Sequence, residues 1–202
     1  MKRLLDILTG AAALLILSPL LLFVAASIVF DSGFPVFYSQ ERVGREFRPF
    51  RLWKFRTMRT GAAGPSVTVA GDSRVTRVGR LLRGVKLDEL PQFWNVLRGE
   101  LSVVGPRPEV PQYVELYRDR YCSILSVRPG ITDLASIQFR NEEAILAASN
   151  DPLRDYRDRV LPIKLDLADQ YIRTRSTFGD VSIIVRTAVV LFDRMRRPTR
   201  CH

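Results

Sequence analysis

Residues 7–30 read ILTGAAALLILSPLLLFVAASIVF, a run without a charged side chain. As one straight helix the run would extend about 36 Å, enough to cross a hydrocarbon core of roughly 30 Å. Ser18 and Pro19 stand near its centre, and a proline inside a helix removes a backbone hydrogen bond and clashes with the preceding turn. We therefore predict a break at Ser18-Pro19 that leaves two half-helices of about 18 Å or less, each too short to span alone.

Basic residues flank this run on both sides. Lys2 and Arg3 precede it, and seven Lys or Arg residues follow within residues 42–59. Cytoplasmic flanks carry the excess of Lys and Arg, and a spanning helix can place only one flank there. A re-entrant segment, which enters one leaflet and returns, satisfies both flanks. A kinked spanning helix stays open because membranes tolerate proline, whereas a signal peptide has a shorter apolar region of roughly 7–15 residues.

The rest of the chain has the composition of a charged folded domain. The sequence has 202 residues and a net charge of +10, almost all of it beyond residue 30. Such a domain favours phosphate-bearing partners: nucleic acid, anionic lipid or a phosphorylated small substrate. The one histidine is His202, and the two cysteines, Cys122 and Cys201, are far apart. These counts argue against histidine triads and zinc sites, so acid–base and nucleophilic chemistry falls to carboxylates.

Two extended stretches around Gly44 are predicted to form a β-hairpin, one over residues 36–40 and the other over residues 47–55. Four aromatic residues alternate with the basic residues of 42–59. This combination suits a membrane interface or a nucleic-acid surface. The solvated basic face of a core hairpin would give the same pattern.

Helices are predicted for most of the remainder. One begins at Thr76, because apolar residues recur at i, i+3, i+4 and i+7 as far as Val85, and Pro91 fits the first turn of the next. A last helix over residues 181–195 is apolar on most sides and could pack in the core or lie on a membrane. Shorter helices are predicted over residues 113–121, 142–148, 153–160 and 165–175, with Pro162 dividing the last two.

The adjacent acids Asp88 and Glu89 precede the predicted helix at Pro91. Acids at a helix start have an ordinary explanation, since they cap free amides and favour the positive end of the dipole. The surroundings indicate a second one. Arg83 lies one helical turn upstream, and proline-rich turns hold Arg107 and Arg128, whose guanidinium groups suit phosphate. Carboxylates beside such arginines suit Mg²⁺, which shares phosphate oxygens, and a carboxylate can also act as a nucleophile.

Seven motifs occur in order along almost the whole chain, and with them the sequence resembles the bacterial sugar transferases, small monotopic phosphoglycosyl transferases. They are the Ser18-Pro19 break, Gln40-x-Arg42-x-Gly44, KFRTM at 54–58, LDELPQ at 87–92, NVLRGELS at 95–102, VGPRP at 104–108 and RPGIT at 128–132. One departure stands after Thr132. This chain continues DLASIQFR over residues 133–140, where many relatives have GWAQVNGR, and this change bears on the donor pocket.

The resemblance implies an α+β, mostly helical protein of the bacterial inner membrane. Residues 1–32 would form the re-entrant membrane helix, 33–196 the cytoplasmic-face catalytic domain with amphipathic interfacial helices, and 197–202 a basic tail. The implied enzyme moves a phosphosugar from a UDP-sugar to polyprenyl (undecaprenyl) phosphate and releases UMP, the first membrane step of a glycoconjugate pathway such as that of an exopolysaccharide. Its partners would be these two substrates and the bilayer, without nucleic acid, and a homodimer is compatible with the sequence.

The resemblance also assigns roles to single residues. Asp88 would be the nucleophile, forming a covalent aspartyl-phosphosugar intermediate, and a ligand of Mg²⁺, for which Mn²⁺ could substitute. Glu89 would be its acid–base partner. Basic residues would neutralise the diphosphate: Lys54, Arg56, Arg83, Arg107 and Arg128.

Two other functions fit the same residues. A membrane-anchored basic protein could bind nucleic acid or anionic lipid and use Asp88 and Glu89 only to cap a helix. A membrane phosphodiester hydrolase could use the same carboxylates without a lipid acceptor. The first predicts a steep salt dependence of polynucleotide binding and no loss of function in Asp88→Asn.

Overall fold

The computed structural model describes residues 2–61 and 68–196, with side chains described as far as residue 193. It confirms the predicted α+β, mostly helical class. Its strands are β1 (Phe37–Val43), β2 (Pro49–Phe55), β3 (Ser102–Val104) and β4 (Gly130–Thr132). Its α-helices are α1 (Lys2–Ile16), α2 (Ser18–Ser32), α3 (Arg77–Gly84), α4 (Gln92–Arg98), α5 (Pro111–Leu116), α6 (Arg118–Ile124), α7 (Leu134–Gln138), α8 (Glu142–Ala147), α9 (Pro152–Asp155), α10 (Leu161–Thr174) and α11 (Thr177–Arg196).

The apolar run forms the helices α1 and α2, which meet at Leu17 with a bend of 60°. Pro19 has no N–H to donate to the carbonyl of Leu15, and the hydroxyl of Ser18 donates to that carbonyl instead, at 2.8 Å. The predicted break is therefore confirmed. Among the described residues no single helix is long and apolar enough to cross a membrane, whereas α1 and α2 together meet that test of length and composition.

The start of α1 is fastened to the folded domain. The guanidinium of Arg3 donates to the carbonyls of Val96 (2.6 Å) and Leu97 (2.9 Å) in the last turn of α4, where a helix leaves carbonyls unpaired. Asp6 is buried within α1, and its carboxylate accepts from the hydroxyl of Ser102 at 2.9 Å. The first helix is thus attached to α4 and β3.

The end of α2 is fastened through Arg56, whose side chain is only 6% exposed. Its guanidinium donates to the carbonyls of Pro35 (2.6 Å), Ser32 (3.0 Å) and Gly33 (2.5 Å), and to the hydroxyl of Thr60 (2.9 Å). The predicted phosphate contact of Arg56 stays a prediction, and in this structure its guanidinium contacts protein groups instead. Its donors contact the backbone that leaves α2, where the last turn of a helix leaves carbonyls unpaired.

We expect Arg56→Met to unfold at a clearly lower temperature than the unmutated protein. The apolar side chain would leave several buried carbonyls without donors, at a cost of about 1–3 kcal/mol for each group that water cannot reach. Thermal unfolding in detergent measures the change. Arg48→Met is the matched control, because the side chain of Arg48 is 83% exposed. An unchanged midpoint for Arg56→Met would contradict this structural role.

The predicted hairpin is confirmed. Strands β1 and β2 pair antiparallel with Gln40 opposite Leu52, and a short 3₁₀ turn joins them. Asn95 of α4 is fully buried and fastens that helix to β2. Its amide oxygen accepts from the Trp53 N–H at 3.1 Å, and its amide nitrogen donates to the carbonyl of Arg51 at 2.7 Å. This clamp fixes α4 beside the end of β2.

The second sheet pairs β3 and β4 in parallel, with Val104 opposite Thr132. The backbone just after β3 passes very close to the start of β4. A Cβ atom on Gly130 would lie 2.1 Å from the nitrogen of Gly105, which is far inside van der Waals contact. Glycine is therefore required at this crossing, and the segments after β3 and β4 leave the sheet side by side.

Helices α5, α6, α8 and α10 contribute to the core cluster that includes Leu146, Val160 and Leu161. One prediction here is wrong, because Pro162 does not divide two helices. The chain passes from α9 through a π-helical turn (Tyr156–Val160) into α10, and Pro162 lies in the first turn of α10. The wider turn shifts the backbone hydrogen bonds by one residue, and this accommodates a proline that lacks an N–H.

Helix α11 begins four residues earlier than predicted. Ile183 is buried against Val104 and Tyr171, so one face belongs to the core. Large apolar side chains stay exposed elsewhere on the helix, namely Phe178, Val181, Ile184, Val185, Val189 and Phe192. The sequence left open whether this helix packs in the core or lies on a membrane, and α11 is compatible with both. The predicted basic tail at residues 197–202 lies outside the described residues.

Candidate active site

Asp88 and Glu89 lie in a 3₁₀ turn (Leu87–Glu89) between α3 and α4. The backbone of Lys86 is left-handed, with φ of 60°, and it turns the chain back after α3. Pro91 then precedes α4 with a helical backbone. The turn holds both acids against the protein, and Asp88 is 6% exposed and Glu89 9%.

Two cations hold the carboxylate of Glu89. The Lys54 ammonium, from the end of β2, lies 2.9 Å from Oε1. Arg107, from the turn after β3, donates to Oε1 and also to Oε2, the latter at 3.3 Å. Burial alone would raise the pKa of Glu89, but Arg107 and Lys54 outweigh it and hold that pKa well below its ordinary value. Glu89 is therefore an ionised anchor for both cations.

Asp88 lies in a different environment. Burial raises the pKa of its carboxyl, although the charge of Lys54 opposes that shift. Its Oδ1 is buried without a hydrogen-bond partner among the described residues. No side chain caps either the 3₁₀ turn or α4, so the capping explanation does not account for this residue. A buried carboxylate oxygen without a partner costs folding free energy and is available to a ligand.

Arg83 stands at the edge of this group. Its guanidinium pairs with the half-exposed Glu143 at 2.5 Å and reaches the hydroxyl of Thr57 at 3.5 Å. Its charge also opposes the rise in the pKa of Asp88. The structure therefore brings Arg83 near the acidic pair, where a substrate phosphate would compete with Glu143 for it.

Arg128 is not brought to the pair. Its Nε donates to the carbonyl of Gly99 at 2.8 Å, just after α4, whereas Asp88 and Glu89 lie just before that helix. Seven helical residues separate the two ends, about 10 Å of rise. The role of Arg128 toward the diphosphate stays a prediction, and in this structure its Nε pairs with a carbonyl at the helix end.

Two buried polar residues, Gln92 and Asp133, were not among the predicted site residues. Gln92 is 1% exposed, and its amide nitrogen has no partner among the described residues. It follows Asp88 by four residues and is the last residue of the LDELPQ motif at 87–92. Asp133 is buried and accepts from the backbone N–H of Arg107. The sequence marked it only as the first residue of the DLASIQFR departure over residues 133–140.

The site offers a magnesium ion one free carboxylate oxygen, that of Asp88. No cluster of three or more His, Cys, Asp or Glu side chains that could hold a metal occurs within residues 2–61 and 68–193. Mg²⁺ commonly takes only one or two carboxylates and completes its shell with phosphate oxygens and water. The free Oδ1 of Asp88 is such a ligand, whereas both oxygens of Glu89 already contact Arg107.

Comparison with known proteins identifies the chain. The family model described as bacterial sugar transferase matches residues 1–194. A UDP-glucose:undecaprenyl-phosphate glucose-1-phosphate transferase of Caulobacter vibrioides is 39% identical over 92% of this chain and 67% of its own length. A UDP-N-acetylgalactosamine-undecaprenyl-phosphate N-acetylgalactosaminephosphotransferase of Aeromonas hydrophila is also 39% identical, over 92% of this chain but 42% of its own length. The exopolysaccharide production protein ExoY of Rhizobium meliloti is 37% identical, over 92% and 83% respectively.

The chain thus spans less than half of some relatives and most of others. The family match covers α1, α2, the acidic pair and the basic residues around it. With that coverage, the resemblance noted from the sequence motifs is confirmed, and the chain belongs to the bacterial sugar transferase family.

Proposed function

We propose that this protein transfers a phosphosugar from a UDP-sugar to undecaprenyl phosphate and releases UMP. The observation that carries the proposal is the buried Asp88, whose free Oδ1 lies beside a Glu89 that holds Lys54 and Arg107. Such a site offers a nucleophile and two cations for a diphosphate. The names of the Caulobacter and Aeromonas relatives, which both include a UDP-sugar and undecaprenyl phosphate, support it.

In the first step, Asp88 attacks the phosphorus that bears the sugar. A bond forms between its carboxylate oxygen and that phosphorus, and the bond to the bridging oxygen breaks, so that UMP leaves with the electron pair. In this proposal Lys54 and Arg107 stabilise the charge on the leaving phosphate. A Mg²⁺ ion bound by Asp88 would supply further neutralisation of the donor phosphates.

In the second step, a phosphate oxygen of undecaprenyl phosphate attacks the same phosphorus and releases Asp88 as a carboxylate. Glu89 is ionised while Lys54 and Arg107 contact it. An incoming lipid phosphate that draws these cations away would raise the proton affinity of Glu89, which lets it act as the base for that phosphate. The two steps use one site in turn, since UMP departs before the lipid reacts.

The attachment of α1 and α2 supports a re-entrant topology. Arg3 at the start of α1 binds the end of α4, and Arg56 binds the end of α2. Both ends of the apolar pair therefore contact one folded domain, and a folded domain lies on only one side of a bilayer. We propose that residues 1–32 enter one leaflet of the inner membrane and return, with residues 33–196 at the cytoplasmic face, where nucleotide sugars are found.

Helix α11 supports the interfacial part of this arrangement. Its exposed apolar residues include Phe178, which is 91% exposed, and Val185. Lipid contact would remove this apolar surface from water. We propose that α11 lies on the membrane beside the re-entrant pair and keeps the acidic site close to the lipid phosphate.

The experiment that tests the function uses the full chain in membranes. The protein is incubated with undecaprenyl phosphate and a panel of UDP-sugars, and both UMP and the lipid product are measured. We expect UMP release that requires the lipid and yields a lipid-linked diphosphosugar. Sugar phosphate released without lipid would indicate the hydrolase instead, and salt-dependent polynucleotide binding without UMP release would indicate the basic binding protein.

We expect chelation to abolish UMP release. The site holds one free carboxylate and no histidine or cysteine ligand among the described residues, so a hard cation with oxygen ligands suits it. Activity should vanish in EDTA and return with Mg²⁺ or Mn²⁺ added in excess. Full activity in EDTA would show that Lys54 and Arg107 stabilise the charge without a metal.

A further inference from the structure

Asp133 joins the turn that carries Arg107 to the start of α7. It is 4% exposed. Its Oδ2 accepts from the backbone N–H of Arg107 at 3.1 Å, and its Oδ1 accepts from the N–H of Ser136 at 2.7 Å. Arg107 follows β3 and Asp133 follows β4, and the two strands are parallel, so the residues beyond their carboxyl ends lie side by side.

The backbone before Arg107 is restrained by the same strand. The N–H of Gly105 donates to the carbonyl of Thr132 at 3.1 Å, and the N–H of Gly130 donates to the carbonyl of Pro106 at 2.9 Å. These bonds hold the chain up to residue 106. The next hydrogen bond along the chain joins the N–H of Arg107 to Asp133. The side chain of the same Arg107 contacts Glu89.

We propose that Asp133 is a positioning residue, which fixes the backbone of Arg107 so that its guanidinium meets the diphosphate of the donor. The proposal rests on the proposed function. The guanidinium of Arg107 makes two contacts to Glu89, and their geometry depends on where the Arg107 side chain leaves the backbone. It leaves at the Cα atom, which is bonded to the nitrogen whose N–H donates to Asp133. A shift of about 1 Å in a positioned group can cost roughly 10²-fold in rate.

The test compares Asp133→Ala, Arg107→Ala and the double variant by two readouts, the kcat of UMP release and the dissociation constant for UDP. We expect Asp133→Ala to lower kcat by roughly 10–100-fold and to weaken UDP binding. In the Arg107→Ala background it should change neither by more than about twofold, because it acts through Arg107. Asp133→Asn keeps a capping side chain and gives a folded variant if Asp133→Ala does not fold.

Asp151→Ala is the matched control. Asp151 also caps a short helix, accepting from the N–H of Arg154 at 3.0 Å, but it is exposed and its contact is local. Wild-type values for Asp133→Ala and Asp133→Asn, or an effect that multiplies fully with that of Arg107→Ala, would overturn the proposal. If Asp133→Ala weakens UDP binding only when Arg107 is present, but no variant or unmutated protein releases UMP, this proposal stands and the proposed function is rejected. No UDP binding by the unmutated protein would reject both.

Discussion

Asp88→Asn is expected to lower the rate of UMP release by at least about 10³-fold, as loss of a covalent nucleophile does. The amide has nearly the same shape as the carboxylate but no negative charge with which to attack phosphorus. Because Oδ1 of Asp88 makes no hydrogen bond among the described residues, the substitution breaks few contacts. The variant should therefore fold and bind membranes like the unmutated protein.

Intact-protein mass spectrometry with UDP-sugar alone measures the intermediate directly. The unmutated protein should gain the mass of a phosphosugar, mapped to Asp88, and Asp88→Asn should not. Asp166→Asn is the matched control, since its side chain is 71% exposed and pairs with Arg120 at the surface, where an ion pair contributes little. Lipid-dependent transfer at the full rate in Asp88→Asn, without an adduct, would contradict the covalent mechanism.

The second large effect concerns the topology of the N-terminus. A cysteine inserted between Met1 and Lys2, in a Cys122→Ser/Cys201→Ser background, should be protected from a membrane-impermeant maleimide in intact cells. Replacement of Ser18-Pro19 by Ala-Leu should expose it, because a straight helix of α1 and α2 together extends about 46 Å and is long enough to span. That helix would also pull Arg3 away from α4, so UMP release should fall in the same variant.

Arg48→Cys in the same background reports the face of the folded domain. Arg48 lies in the hairpin turn and its side chain is 83% exposed. Both cysteines should be protected in intact cells and should react after permeabilisation. Labelling of the inserted cysteine from outside, with Arg48→Cys protected, would show that the unmutated segment spans the membrane and that the re-entrant proposal is wrong.

The local elements could be predicted because short-range rules fix them. The break at Ser18-Pro19 follows from the missing N–H of one proline, and the hairpin follows from two extended stretches around Gly44. Asp88 and Glu89 could be singled out as a pair because they are adjacent in the chain and few other residue types were available for chemistry. Pro162 is the exception, since the rule that a proline ends a helix does not foresee a π-helical turn that accommodates it.

The assignment of the basic residues depended on tertiary structure. Composition treats Lys54, Arg56, Arg107 and Arg128 as equivalent cations, but each guanidinium or ammonium pairs with the nearest unpaired acceptor. The clamp between Asn95 and β2 brings Lys54 to Glu89, and the crossing of β3 and β4 brings Arg107 there. Arg56 and Arg128 instead lie beside helix ends and donate to carbonyls there. The sequence alone determined which residues carry a charge suited to phosphate. The packing of distant segments decided which of them lie beside Glu89 and which lie at helix ends, because a buried carbonyl takes the donor that the fold places next to it.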